Sequence, residues 1–238
     1  MFLPLHDSAP LRVIRFQLVT GLIILANVLV FLFVRYGASP VEAARIPLSF
    51  GAIPAVLTDR AQLGGALQVV PEQLTVLTYM FLHGGWLHLI GNMAFMWVFA
   101  DNVEDGFGHA GFVLFYLACG VAAALAHVAM SASSQTPLIG ASGAVAGVLA
   151  AYMLLFPRSR VLVLLFMRIP LRLSALWVLA GWFIFQVVSA LLSTPGSGGV
   201  AWWAHIGGFI AGFVFTLLLR PFLLRRLSSG TRHLADRT

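Results

Sequence analysis

The sequence predicts an all-α fold in which six transmembrane helices pack as one polytopic membrane bundle. Three observations carry that prediction. Of 238 residues, 60% are hydrophobic and 9% charged, with a mean hydropathy of +0.96, whereas a soluble domain carries roughly a quarter charged residues. Six apolar runs approach the about 20 residues needed to cross a hydrocarbon core. The fourteen basic residues, all arginine, gather on alternate connections between those runs.

The first run, 16–34, is bounded by Arg15 and Arg35. It is too long for a signal-peptide core and no small-x-small cleavage site follows it, so it reads as an uncleaved helix, with residues 1–15 as a cytoplasmic tail. The connection 35–75 holds Pro40, Pro47, Pro54 and Pro71 with apolar stretches between them, which predicts short helices in the outer interface. Further spans are expected at 85–103, 111–130, 138–156, 173–193 and 200–219. The stretch "RVLVLLFMRIPLR" (160–172) is too short and too basic to span and is expected along the inner interface. Residues 16–220 then form the membrane domain and 221–238 a cytoplasmic C-terminal tail.

Arginine sets the orientation. With the N-terminus inside, the inner segments hold Arg12 and Arg15; Arg158, Arg160, Arg168 and Arg172; and Arg220, Arg225, Arg226, Arg232 and Arg237. Arg35, Arg45 and Arg60, in the first outer loop, are the remainder, so both termini face the cytoplasm. The acidic stretch "ADNVEDGFG" (100–108), with Asp101, Glu104 and Asp105, reads as a solvated inner turn. The net charge of +6 lies in arginines that flank apolar runs, which suits membrane lipids with anionic headgroups and gives no footprint for nucleic acid. Cys119 is the lone cysteine, so no intrachain disulfide forms. Oligomeric state has no signature in this sequence.

Strongly polar residues inside the spans are few: Asn27, His88, Asn92, His127, Ser142, Gln186 and His205. Such residues are costly in a membrane and point to function. No Asp or Glu lies well inside a span, which disfavours ion-coupled transport. Spans two, four and six all run from outside to inside, so His88, Asn92, Ser142 and His205 meet at one shallow level near the outer face. Ser142 is placed about four residues into the fourth span and His205 about five into the sixth, roughly 6–8 Å below the helix starts.

Helix faces bring these levels together. Ser142, Ala146 and Ala150 share a stripe flanked by Gly143 and Gly147; His205, Gly208 and Gly212 share another. Small-residue stripes let membrane helices approach backbone to backbone, which leaves Ser142 at the outer end of the joint within reach of His205. A histidine accepting the hydroxyl proton activates the serine as a nucleophile. No acid is available at that depth, so a dyad is expected rather than a triad. The start of the fourth helix, with the His88 and Asn92 side chains, offers donors to an oxyanion. For Ser142 alone, a small residue chosen for packing is the bland alternative; for His88 and Asn92 it is structural hydrogen bonding between helices. Gln186 is a candidate for a bond across helices, and Trp202 and Trp203 read as interfacial anchors. His83 and His88 invite a zinc reading, but five positions apart on a helix they point about 140° apart, with no HExxH and no nearby carboxylate or thiolate. The serine also lacks the last glycine of the soluble-hydrolase G-x-S-x-G elbow, where Ala144 stands instead.

The segments "HGGWLHLIGNM" (83–93), "GASGAVAG" (140–147) and "AHIGGFIAG" (204–212), in that order on spans two, four and six, resemble the rhomboid family of intramembrane serine proteases. The resemblance implies a rhomboid-like six-helix bundle, Ser142 as nucleophile and His205 as general base. It implies an oxyanion site of His88, Asn92 and the Ser142 backbone N–H, and His83 at the site mouth. It implies no metal or organic cofactor, and transmembrane protein substrates cut near helix-destabilising residues. It further implies a movable entrance from the fifth span and the 194–199 loop "TPGSGG", with Trp182 and Phe183 as gate residues, and, with the compact six-helix form, a bacterial inner membrane. One position departs from the pattern: some members carry an aromatic residue four positions after the serine, packed on the catalytic histidine, where this chain has Ala146. The alternatives are a catalytically silent rhomboid-like protein that binds transmembrane helices and, in a third class, a small-solute transporter.

Overall fold

Apolar runs free of proline become long helices, and proline-broken ones become short helices and turns. In the computed structural model, which describes residues 2–193 and 199–235, the chain order is β1 (Phe2–Asp7), α1 (Leu18–Leu32), α2 (Pro40–Phe50), α3 (Pro54–Leu57), α4 (Thr75–Thr78), α5 (Trp86–Phe107), α6 (His109–Met130), α7 (Ser142–Leu155), β2 (Arg160–Leu165), β3 (Ile169–Ser174), α8 (Ala175–Leu192) and α9 (Trp202–Ala235). All six apolar runs contain a helix. Among the described residues, four stretches are long and apolar enough to cross a bilayer: Leu18–Gly37, His109–Met130, Ala175–Leu192 and Trp202–Ser229. The chain is thus a polytopic helical membrane bundle. The short helices expected in 35–75 are present, and Ser39 closes α2 with a capping box to Glu42. The boundary expected at 220 falls inside α9.

Three expectations are corrected. First, the fold is not all-α. "RVLVLLFMRIPLR" forms the β2–β3 hairpin, and the N-terminal tail adds β1 antiparallel to β2. The period is that of a strand: Val161 and Val163 turn inward and are buried while their neighbours face out. Pro4 and Pro170 both fall on edge strands, where a missing N–H breaks no central ladder.

Second, the fourth span is shorter than 138–156. Leu138 is extended and exchanges both backbone bonds with Ala52, and Gly140 N–H donates to the Tyr79 carbonyl. These partners hold the chain out of helical geometry until Ser142. The 14-residue α7 is about 21 Å long, shorter than the bilayer core, and its middle is enclosed by neighbouring helices.

Third, the acidic turn is not solvated. Glu104 and Asp105 are fully buried. Asp105 accepts from the backbone N–H groups of Arg12, Val13 and Ile14 at 2.7–2.8 Å. Glu104 accepts from Val19 N, Thr20 N and Thr20 Oγ1, which places a carboxylate at the positive end of α1.

The core is the α7–α9 joint, with α6 across it. A Cβ on Gly208 would lie 1.9 Å from Gly143 O, and one on Gly212 would lie 2.3 Å from Gly147 O. A Cβ on Gly143 or Gly147 would lie 2.5 Å from Ala123 Cβ or Cys119 Sγ. The two small-residue stripes therefore do pack on each other, backbone to backbone.

Candidate functional site

The site is built where the α7–α9 joint opens at the head of α7. Ser142 is the first residue of that helix, not its fourth, and His205 is the fourth of α9. Close helix contact leaves their side chains facing: Ser142 Oγ lies 2.8 Å from His205 Nε2. His205 is buried and Ser142 half-buried. Because α7 begins at Ser142, that residue's N–H belongs to the first turn, whose donors have no acceptor within the helix.

The other nitrogen of His205 is also engaged. Nδ1 lies 2.7 Å from Gln186 Oε1 on α8. The His205 ring further packs near Trp182, one turn before Gln186 on the same helix, with centroids 5.8 Å apart, and edge-on to Trp202 at 6.3 Å. Trp202 is therefore part of the site's wall. These contacts answer how the ring is held where α7 offers only Ala146: the aromatic neighbour comes from α8 and the head of α9. Phe183 stacks instead on Phe209 at 4.3 Å. Of the expected entrance loop, residues 194–198 lie outside the described residues.

The opposite wall comes from α5 and the turn before it. His88 and Asn92, one helical turn apart, both approach the extended stretch before Ser142. Gly140 has φ +120°, and a Cβ there would fall 2.5 Å from His88 Nε2 and 3.7 Å from Asn92 Nδ2. Gly84 N–H donates to His88 Nδ1 at 3.4 Å, so the His88 proton resides on Nε2, the atom directed at Gly140. Asn92 Nδ2 lies 2.9 Å from His83 Nε2. Burial, and then the neighbouring His88, hold His83 well below the usual histidine range, at about 4; it is neutral at pH 7 and accepts one Asn92 N–H, and the amide has a second hydrogen to offer.

His83 precedes α5 rather than lying on it, so the 140° separation argued for a shared helix does not apply: the His83 and His88 rings meet edge to face at 4.9 Å. Even so, no three His, Cys, Asp or Glu side chains among the described residues are grouped to hold a metal ion. One contributor escaped the sequence reading, and a second was expected only as a bond across helices. Tyr79 forms the floor, its carbonyl accepting Gly140 N–H and its hydroxyl donating to Gly120 O. Gln186 was visible as a lone polar residue, but its partner was not.

Chemically, the arrangement offers a hydroxyl paired to a histidine base and, beside it, an N–H cluster from Ser142, His88 and Asn92. Donors around a nucleophile in this way suit a carbonyl that becomes tetrahedral.

Comparison with known proteins supplies the ancestry. Residues 71–222 match the Rhomboid domain family model. The chain is 29% identical to RHOMBOID-like protein 6, mitochondrial, of Arabidopsis thaliana, over 85% of this chain and 69% of that one. It is 28% identical to RHOMBOID-like protein 5 of Arabidopsis thaliana over 63% of this chain and 46% of that one. It is 32% identical to Rhomboid protease GluP of Bacillus subtilis over 60% of this chain and 25% of that one. The match spans about half the length of RHOMBOID-like protein 5 and a quarter of GluP, and about two thirds of RHOMBOID-like protein 6. Mitochondrial and bacterial proteins both occur among them, so they do not favour the bacterial inner membrane expected from the sequence.

Proposed function

Because the chain belongs to the rhomboid family, we propose that it is an intramembrane serine endopeptidase whose membrane domain, residues 16–220, cleaves transmembrane segments of other membrane proteins. The observation that carries this reading is the 2.8 Å contact between Ser142 Oγ and His205 Nε2 at the head of a helix. Ser142 Oγ attacks the peptide carbonyl carbon while its proton passes to His205 Nε2. The negative charge on the carbonyl oxygen is met by the Ser142 N–H, His88 Nε2–H and the second Asn92 amide hydrogen. The C–N bond breaks as His205 returns the proton to the leaving amine, and an ester to Ser142 remains. Water, deprotonated by His205, attacks that ester and releases the acid. Residues of this chain supply every group these steps use.

In this reading α1, α5, α6, α7, α8 and α9 are the six spans. The arginine distribution puts both termini in the cytoplasm and the heads of α5, α7 and α9, with the site, towards the outer face. A substrate helix must unwind locally to present its backbone to a serine held at the top of a short helix. His83 then sits at the mouth and positions Asn92 through their shared hydrogen bond.

The test is covalent labelling of the detergent-purified protein by a fluorophosphonate, with Ser142→Ala and His205→Ala alongside. Labelling of the wild type that falls at least about 1,000-fold in both variants is expected for residues that act as a unit. A folded wild type that takes no label, or an equally reactive Ser142→Ala, would give the lead to a silent protein that binds transmembrane helices.

A further inference from the structure

Gln186 is the only strongly polar side chain in the middle of α8, and it is turned away from lipid. Ile184, Phe185 and Val188 around it are exposed, while Gln186 retains 3% of its surface. An amide buried in an apolar helix is costly unless it is paired, and its oxygen is paired to one atom, His205 Nδ1, at 2.7 Å.

The chemistry of that pair is directional. An amide oxygen only accepts hydrogen bonds, so Nδ1 must carry the ring proton. A neutral imidazole has one proton, so Nε2 is left with a lone pair facing the Ser142 hydroxyl. The opposite tautomer would place an N–H against Ser142 Oγ, where it cannot take the hydroxyl proton. Trp182, at i−4 on the same face of α8, sits beside the same ring. One face of α8 thus fixes the protonation site and, with Trp202 edge-on from the head of α9, the plane of the imidazole, while α7 presents only Ala146.

We propose that Gln186 is a positioning residue for His205, holding it as the Nδ1–H tautomer so that Nε2 is available to Ser142. The protein then works with three hydrogen-bonded residues, the third a neutral amide. Gln186 reaches the reaction through His205 and does not touch substrate. The inference rests on the protease reading, and the experiment separates the two.

The protein is labelled with ¹⁵N-histidine and its imidazole nitrogens are recorded in detergent, the His205 signals being those lost in His205→Ala. The wild type is expected to show a protonated Nδ1 and an acceptor Nε2. Gln186→Met, close in shape but without the acceptor oxygen, is expected to lose that preference. On a model transmembrane substrate its kcat should fall about 10- to 100-fold with KM within about twofold, since the loss is of base geometry rather than of binding. Gln186→Glu restores the acceptor and should recover kcat to within about fivefold of wild type. A wild-type His205 protonated at Nε2, or a Gln186→Met protein with the wild-type tautomer and kcat, overturns the proposal. So does a Gln186→Glu protein no better than Gln186→Met, which marks Gln186 as packing alone. The tautomer is read without turnover: a wild type holding Nδ1–H but inert to the fluorophosphonate sinks the protease reading and leaves the positioning contact standing.

Discussion

At Gly140 a single hydrogen atom decides whether the site can exist. The residue has φ +120°, a conformation L side chains rarely adopt, and the place of its missing Cβ is 2.5 Å from His88 Nε2. Two demands meet there. The chain must leave the extended pairing with Ala52 and enter α7 within three residues, and His88 Nε2, the oxyanion donor of the proposed protease, lies against that turn. Gly140→Ala is therefore expected to push the imidazole aside and remove one oxyanion donor. The rate of fluorophosphonate labelling should fall about 100-fold or more, while the thermal unfolding profile in detergent keeps its cooperative form. A Gly140→Ala protein that labels at the wild-type rate would mean His88 takes no part. The sequence displayed Gly140 in its motif but not this reason for it, because the clash is with a residue 52 positions away in the chain.

Between elements, the α7–α9 joint divides the glycines into those that carry the packing and those that do not. Gly208 and Gly212 have no room for a methyl group, since the obstacle in each case is the backbone of α7. Gly21 on α1 and Gly181 on α8 have nothing within 4 Å. Gly208→Ala and Gly212→Ala should each lower stability by about 1–3 kcal/mol through overpacking and separate Ser142 from His205. Gly21→Ala and Gly181→Ala should be neutral or slightly stabilising, because a glycine costs a helix roughly 0.5–1 kcal/mol relative to alanine. Unfolding in detergent, read beside labelling of Ser142, distinguishes the two classes; equal effects at Gly208 and Gly181 would refute the assignment. This joint was legible in sequence because periodicity and residue size are local properties: Gly143, Gly147, Gly208 and Gly212 declare a face without reference to anything else. The start of α7 was not legible, since Leu138 and Gly140 are kept from helix by Ala52 and Tyr79. The sheet was hidden for the same reason. "FLPLHD" and "RVLVLL" are unremarkable apolar segments until they pair across more than 150 residues, and the hydropathy of 160–172 fits an interfacial segment equally well.

Across the whole molecule, the end of the bundle that carries the sheet is fastened by buried acids rather than solvated by them. Glu104 and Asp105 receive the backbone N–H groups leading into α1, and Asp7 on β1 accepts the Tyr152 hydroxyl. Tyr152 stands ten residues after Ser142 on α7, so the N-terminal strand is bonded to the C-terminal turn of the helix that carries the serine. Asp7 is not held there as a comfortable carboxylate. Burial raises its pKa above the usual 3.8, and the hydrogen bonds from Tyr152 and Ala9 offset only part of that rise. The sign follows from linkage. Below pH 3.8 the carboxyl is protonated in the folded and unfolded states alike, and its contribution to stability is fully present. As pH rises above 3.8 the unfolded chain releases the proton while the folded one retains it, and stability is lost until the raised pKa is passed. Asp7→Asn keeps a side-chain oxygen for Tyr152 and removes the titration. The variant should therefore match the wild type near pH 3.5 and melt progressively higher than it as pH rises above 3.8, until the raised pKa is passed, with Tyr152→Phe following the wild-type pH trend. Thermal unfolding of the three proteins in one detergent across that range decides the matter. A gap between Asp7→Asn and wild type that stays constant with pH would show that Asp7 titrates alike in the folded and unfolded chains and that burial does not raise its pKa.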